Sequence, residues 1–179
     1  PELLGSFWSN PCLETARSVK SAGIELSLDV FVSRDNLEPD SNPAETHAPL
    51  LELADMVFPN EAEARAITGR DRLENVLACL HGLGITIAVI KRGERGAIVS
   101  WDGQVEKIPA GEVTAIDTCG AGDNFVGGFL AGRIKGLDPL ECAKLGCELG
   151  TLCVQRKGAV TASSDRQKLE PLLERYGLG

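Results

Sequence analysis

The sequence predicts an α/β fold: a mostly parallel sheet with helices on both faces and an antiparallel hairpin at its edge. Three observations carry that reading. Short apolar runs such as Ile85-Thr86-Ile87-Ala88-Val89-Ile90 alternate with segments of helical periodicity, the pattern of a parallel sheet wound with helices. Asp102-Gly103 joins the runs 97–101 and 104–108, which is the signal for a tight two-residue hairpin. The 179 residues, 43% of them hydrophobic, suffice for one domain with a sizeable core.

The elements follow in order. Asn10-Pro11 places a cap and a first-turn proline ahead of a helix reaching residue 22, with Gly23 as its stop. Residues 24–30 alternate as a strand. The polar stretch 33–48, with Pro39, Pro43 and several acids, reads as a loop. Met56-Val57-Phe58 is strand-like, helices follow at 61–68 and 73–83, and 85–90 is the clearest strand. A helix from 124 to about 135 has Phe125/Phe129 and Val126/Leu130/Ile134 at four-residue spacing, with Gly127, Gly128, Ala131 and Gly132 allowing close packing. Residues 139–154 read as a largely buried helix carrying Cys142, Cys147 and Cys153.

Composition excludes several functions. The charge is 18 − 26 = −8, which argues against an extended nucleic-acid surface. The six cysteines form no Cys-x-x-Cys pair and only His47 and His81 are available beside them, so free core thiols are expected rather than a zinc site. No run has membrane-spanning length and no secretory signal is visible, which makes the cytoplasm the expected location and a membrane an unexpected partner. Gly-x-x-x-x-Gly-Lys-[Ser/Thr] is absent, position 125 is Phe where a dinucleotide fingerprint has Gly, and no Gly-x-Ser-x-Gly elbow occurs.

The most informative segment is Asp117-Thr118-Cys119-Gly120-Ala121-Gly122-Asp123. It brings the backbone close to a ligand through residues with little or no Cβ, and it sets a carboxylate at the start of an apolar helix, whose first N–H groups and dipole favour an anion. Asp123 would also serve there as an ordinary helix cap. Followed by its glycine-rich helix, the string resembles the signature of the ribokinase-like (PfkB) carbohydrate kinases. The resemblance implies that Asp123 is the catalytic base deprotonating a substrate hydroxyl, and that Gly120, Ala121 and Gly122 form the anion hole for the transferred phosphoryl group. Cys119 occupies a position that varies in the family.

Two further motifs stand in the family's order. Asn60-Glu61-Ala62-Glu63 resembles its Asn-x-x-Glu motif, implying that Asn60 and Glu63 help hold Mg²⁺ and the nucleotide phosphates, Glu63 through water. The same four residues also spell a capping box. Lys91-Arg92-Gly93-Glu94-Arg95-Gly96 matches the family's nucleotide-lining motif at Lys91, Gly93 and Gly96, which with Asn60 and Gly122 make the expected nucleotide site; read without the family it is a polar hairpin turn. Arg156-Lys157-Gly158-Ala159 resembles the segment that closes the nucleotide pocket. Some members bind a monovalent cation there, K⁺ among them, and the corresponding groups, mostly backbone, would belong to Asp117, Cys119, Cys153, Arg156 and Gly158.

The resemblance is weaker upstream. Asp29 falls where the family tends to have Asp-Pro-Asn-x-Arg, but Pro and Asn are missing and Arg34 is displaced, so both residues read as scaffold. The whole of 1–179 corresponds to the nucleotide-binding C-terminal portion of a single ribokinase-like domain, with the acceptor-binding glycine motif and the β-stranded lid expected before Pro1; the absence of an initiating Met agrees with a fragment. The implied activity is ATP-dependent transfer of the γ-phosphoryl group to a hydroxyl of a sugar or sugar derivative, with Mg²⁺, and with the isolated fragment inactive. A nucleoside kinase of the same superfamily and a truncated, non-catalytic nucleotide-binding module are the alternatives. A homodimer of the complete protein stays open.

Overall fold

The computed structural model describes residues 11–32, 42–161 and 165–178. Among them lie helices α1 (Pro11–Ser21), α2 (Pro43–Leu51), α3 (Glu61–Thr68), α4 (Leu73–Gly82), α5 (Ala121–Ile134), α6 (Pro139–Cys153) and α7 (Arg166–Arg175). The strands are β1 (Ser27–Leu28), β2 (Met56–Val57), β3 (Ile87–Lys91), β4 (Ala97–Trp101) and β5 (Gln104–Ile108), forming one sheet in the order β1-β2-β3-β4-β5. β1 runs parallel to β2, with Ser27 opposite Met56, and β2 parallel to β3, with Met56 opposite Ile87. The expected hairpin joins β4 to β5: Asp102 and Gly103 both have positive φ, 46° and 76°, as a two-residue turn that follows the strand twist requires. The described chain is thus the mixed, mostly parallel α/β structure that the sequence predicts.

Two compact units are distinguished, one drawn from residues up to Ile90 with Ser100–Gly103, the other from Lys91–Val99 with the residues from Gln104 onward. In the first, Val57, Phe58, Leu51, Leu80, Ile85 and Val89 are fully buried or nearly so. Asp55 organises the strand ends: its backbone carbonyl accepts from Thr86 and Ile87, and its carboxylate accepts from Leu26 N–H at 2.8 Å and Lys20 Nζ at 2.6 Å. Burial alone would raise the Asp55 pKa, but Lys20 and the Leu26 N–H outweigh it and the carboxyl titrates below its ordinary range.

Two elements of this unit differ from the sequence reading. Only Ser27–Leu28 of the expected strand 24–30 is strand; Ile24 and Phe31 are 57% and 74% exposed, and ladder bonding is confined to the stretch facing β2. Part of the expected loop is a helix, α2, because Asn42 caps it through Ala44 N–H at 3.1 Å and Pro43 occupies its first turn, where a missing N–H costs nothing. The rest of that loop, 33–41, with Arg34, and Asn10 lie outside the described residues.

In the second unit α5 and α6 pack closely because small residues meet at their interface. A Cβ on Gly128 would lie 2.7 Å from Leu149 Cδ1, and one on Gly146 would lie 2.8 Å from the Phe125 carbonyl oxygen. Phe125 and Phe129 are buried as their spacing predicts, but Ile134 is 89% exposed and Gly127 faces open space, so the apolar face of α5 is narrower than the sequence suggests. Cys142, Cys147 and Cys153 are buried and every cysteine is a free thiol. Leu172 of α7 joins Leu145, Leu149 and Leu152 of α6, and Tyr176 Oη donates to Glu148 at 2.8 Å beside an Arg175–Glu148 ion pair.

Candidate active site

The second unit gathers most of the predicted site. β3 ends at Lys91, and the chain turns through a single 3₁₀ turn, Gly93–Arg95, closed by Arg92 N–H donating to the Gly96 carbonyl at 2.8 Å. Gly96 has φ 79°, and a Cβ there would lie 1.9 Å from the Ile108 carbonyl oxygen and 2.6 Å from Ala110 N, so the position admits only glycine. The motif glycine therefore serves a backbone crossing as well as lining the cavity beside it.

That cavity, about 670 Å³, is bounded by Lys91, Gly93 and Gly96 on one side and by Thr118, Ala121, Gly122 and Phe125 on the other. Its volume suits a nucleotide-sized ligand, and its lining mixes apolar side chains with a few polar groups, as small-molecule sites do. Lys91 Nζ reaches 3.5 Å from where a Gly122 Cβ would stand, placing an ammonium against the start of α5. Gly120 and Asp123 do not line the cavity.

The turn feeding α5 is held from both directions. Ile116 N–H donates to the Val154 carbonyl at 2.7 Å. The Asp117 carboxylate accepts Cys119 N–H through one oxygen and Gly158 N–H through the other, both at 2.9 Å. These two N–H bonds, and more weakly the Lys157 charge, hold Asp117 below the ordinary carboxylate range. Gly120 is the N-cap residue of α5 in the left-handed conformation, φ 76°, with the backbone of Ala159 directly against it.

α5 starts at Ala121, three residues before the sequence reading of 124. The low helix propensity of the two glycines hides this start, although a left-handed Gly120 supplies the turn. Asp123 is consequently inside the first helical turn, exposed and not the N-cap, and its carboxylate has no hydrogen-bond partner among the described residues. Of the three expected anion-hole residues, Ala121 gives its N–H to the Thr118 carbonyl at 3.2 Å. The N–H groups of Gly120, Gly122 and Asp123 have no acceptor among the described residues. Unpaired N–H donors at a helix start are the chemistry that favours an anion, and the Lys91 ammonium lies nearby.

The remaining predicted residues divide. Cys119, Cys153 and Gly158 join Asp117 in one network: Cys153 Sγ donates to the Cys119 carbonyl at 3.4 Å, and Gly158 N–H to Asp117. Arg156 turns its guanidinium away to Asp165 at 2.8 Å, so only its backbone is left for the role expected of it. A carboxylate and peptide oxygens are donors of the kind that suits an alkali cation. Asn60 and Glu63 belong to the first unit and form a complete capping box on α3, with Asn60 N–H to Glu63 Oε2 at 2.7 Å and Glu63 N–H to Asn60 Oδ1 at 2.9 Å. One carboxylate oxygen remains, which fits Mg²⁺ held mainly by phosphates and water. Among the described residues no cluster of three His, Cys, Asp or Glu side chains forms a preformed metal cage.

Sequence reasoning missed Asn124. Its carboxamide donates to the Gly120 carbonyl at 2.8 Å, to the Ala159 carbonyl at 2.8 Å and to Cys153 Sγ at 3.3 Å. An Asn in the first turn of a helix announces local bonding, but nothing in the sequence names a partner 35 residues away.

Residues 9–166 match the model of the pfkB family of carbohydrate kinases. The chain belongs to that family. Ribokinase of Arabidopsis thaliana is 32% identical over 171 residues, covering 90% of this chain and 42% of the relative. Cytidine kinase of Thermococcus kodakarensis is 41% identical over 102 residues, covering 55% of this chain and 36% of the relative. Aminoimidazole riboside kinase from Salmonella enterica, solved with aminoimidazole riboside and an ATP analog, superposes with a TM-score of 0.79 at 29% identity, over 90% of this chain and 56% of that one. The chain therefore spans about half or less of the length of the proteins it matches. No helix among the described residues is long and apolar enough to cross a membrane.

Proposed function

We propose that the complete protein is an ATP-dependent kinase that transfers a γ-phosphoryl group to a hydroxyl of a sugar or sugar derivative, and that residues 1–179 are its nucleotide-binding C-terminal portion. The observation that carries this reading is the start of α5: unpaired N–H groups at Gly120, Gly122 and Asp123, the exposed Asp123 carboxylate on the same turn, and the Lys91 ammonium at the Gly122 backbone. A sugar hydroxyl is too weak an acid to ionise at neutral pH, so a carboxylate must take its proton as the new P–O bond forms. Asp123 would take that proton, a reading supported by its exposure on the first turn of α5, and the adjacent N–H groups would stabilise charge on the phosphoryl oxygens. Nucleotide enters through the cavity beside Lys91, Gly93 and Gly96.

Asn60 and Glu63 would hold Mg²⁺ through water, and Asp117 with the peptide oxygens of Cys119, Cys153, Arg156 and Gly158 would hold K⁺. The first ion neutralises phosphate charge when bound. A nucleoside acceptor is the second reading, supported by the similarity to a cytidine kinase and to a kinase solved with a riboside. The free thiols suit a reducing cytoplasm, where we place the reaction.

The test is acceptor-dependent ADP release by the complete protein against a panel of sugars and nucleosides with MgATP. Turnover with a sugar is expected. Turnover with nucleosides alone would replace the first reading by the second, and release of ADP with no acceptor in either class would overturn both. The 179-residue chain by itself should bind nucleotide without phosphorylating an acceptor.

A further inference from the structure

We propose that Asn124 is a positioning residue that locks the phosphate turn to the 156–160 turn, and so sets the phosphate-dependent share of nucleotide affinity. The inference rests on reading the start of α5 as the site of the nucleotide phosphates. Its geometry is independent of that reading. The carboxamide nitrogen has two hydrogens and faces two carbonyls at equal distance, Gly120 and Ala159, both 2.8 Å away. Two acceptors require the nitrogen and not the oxygen to face them, which settles the amide orientation.

Each carbonyl matters to the turn. The Gly120 carbonyl accepts twice, from Asn124 N–H at 2.9 Å and from Asn124 Nδ2, which fixes the peptide plane between the left-handed Gly120 and Ala121. The Ala159 carbonyl is drawn toward α5 and also receives Cys153 Sγ at 3.3 Å. Ala159 in turn is the wall against which Gly120 is pressed: a Cβ on Gly120 would lie 2.5 Å from Ala159 Cβ. One side chain thus holds both faces of a contact between segments that Asp117 and Gly158 tie directly and that Cys153 Sγ bridges through the Cys119 and Ala159 carbonyls. Anion binding by backbone N–H groups depends on their convergence, and a turn free to rotate loses it.

Asn124→Asp preserves size and shape but replaces two donors by a carboxylate that repels both carbonyls. Asn124→Ala and Asn124→Ser remove or halve the donors with little steric demand, and the melting temperature of each variant shows which of them are folded. Calorimetric titration of the 179-residue chain with MgADP and with adenosine separates the effects. Asn124→Asp and Asn124→Ala should weaken MgADP binding at least tenfold while adenosine binding changes less than twofold, and Asn124→Ser should fall between wild type and Asn124→Ala. A merely structural role would lower the melting temperature and weaken both ligands alike, which would overturn the proposal, as would unchanged MgADP affinity in the folded variants. If the wild-type chain bound adenosine and MgADP equally, the phosphate-site reading itself would fall and this inference with it; a wild-type preference for MgADP that survives the substitutions would remove only Asn124.

Discussion

The Asp117 carboxylate and the Gly158 N–H, separated by 41 residues in the chain, are joined by a 2.9 Å hydrogen bond that ties the turn before α5 to the turn after α6. Because native Asp117 is held below its ordinary pKa by the Cys119 and Gly158 N–H groups, folding favours its ionised form. The stabilisation is complete above the ordinary aspartate value of roughly 4 and is lost as pH falls through the lower native value. Asp117→Asn keeps one acceptor but turns an NH₂ group toward Gly158. Its melting temperature should lie below wild type at pH 7, and the gap should close as the pH is lowered past 4. A gap independent of pH would show that the charge contributes nothing.

Gly120 and Gly136 offer a paired test of the contact with Ala159. Both have positive φ, 76° and 85°, but a Cβ at Gly136 meets nothing within 4 Å, whereas one at Gly120 meets Ala159. Gly136→Ala should cost about 1 kcal/mol for its backbone conformation alone. Gly120→Ala should cost about 2–4 kcal/mol, the excess being steric overlap. Urea unfolding of both variants measures the difference, and equal costs would mean that the two turns part without penalty.

Asp123→Asn in the complete protein should lower turnover by roughly 10²–10⁴-fold with little change in nucleotide affinity, because the amide keeps the shape but cannot take a proton. Asp123 is not the helix cap, so the substitution should leave stability nearly unchanged. Near-normal turnover would remove it from the role of base.

Glu63→Gln separates the two uses of one carboxyl. The amide oxygen can still accept Asn60 N–H, so α3 should lose less than about 1 kcal/mol, the share due to charge at a helix start. If Glu63 also acts on Mg²⁺, the Mg²⁺ concentration for half-maximal turnover should rise several-fold. An unchanged Mg²⁺ requirement would leave Glu63 as a cap and nothing more.

Much of this was legible in the sequence, for reasons that differ by element. β3 and the Asp102-Gly103 hairpin were plain because an unbroken apolar run and a turn demanding positive φ are local signals. α3 was plain because Asn60 and Glu63 carry their own cap. α2 was hidden because Pro43 read as a breaker, although proline starts helices as readily as it stops them. The first three residues of α5 were hidden by glycine, and the shortness of β1 by its position at the edge of the described sheet. Within the candidate site, the turn that starts α5 was legible from its glycines. The ties from Asp117 and Asn124 to residues 158 and 159 were not, since a hydrogen bond across some 35 to 41 residues is decided by how helices pack and leaves no local pattern.

The thiols are graded by depth, and that grading makes the turn before α5 chemically addressable. Burial pushes Cys142 up to about 11 and Cys147 up to about 12, and it raises Cys153 as well, so these three are shielded and poorly nucleophilic at neutral pH. Cys119 is exposed and sits beside the Asp117 bonds, while Cys12 and Cys79 are half-buried and remote from it in sequence. With those two replaced, an alkylating dye would attach at one place, on the turn that phosphates are proposed to contact. Its fluorescence would then follow arrival and departure of nucleotide in real time, without any turnover being required.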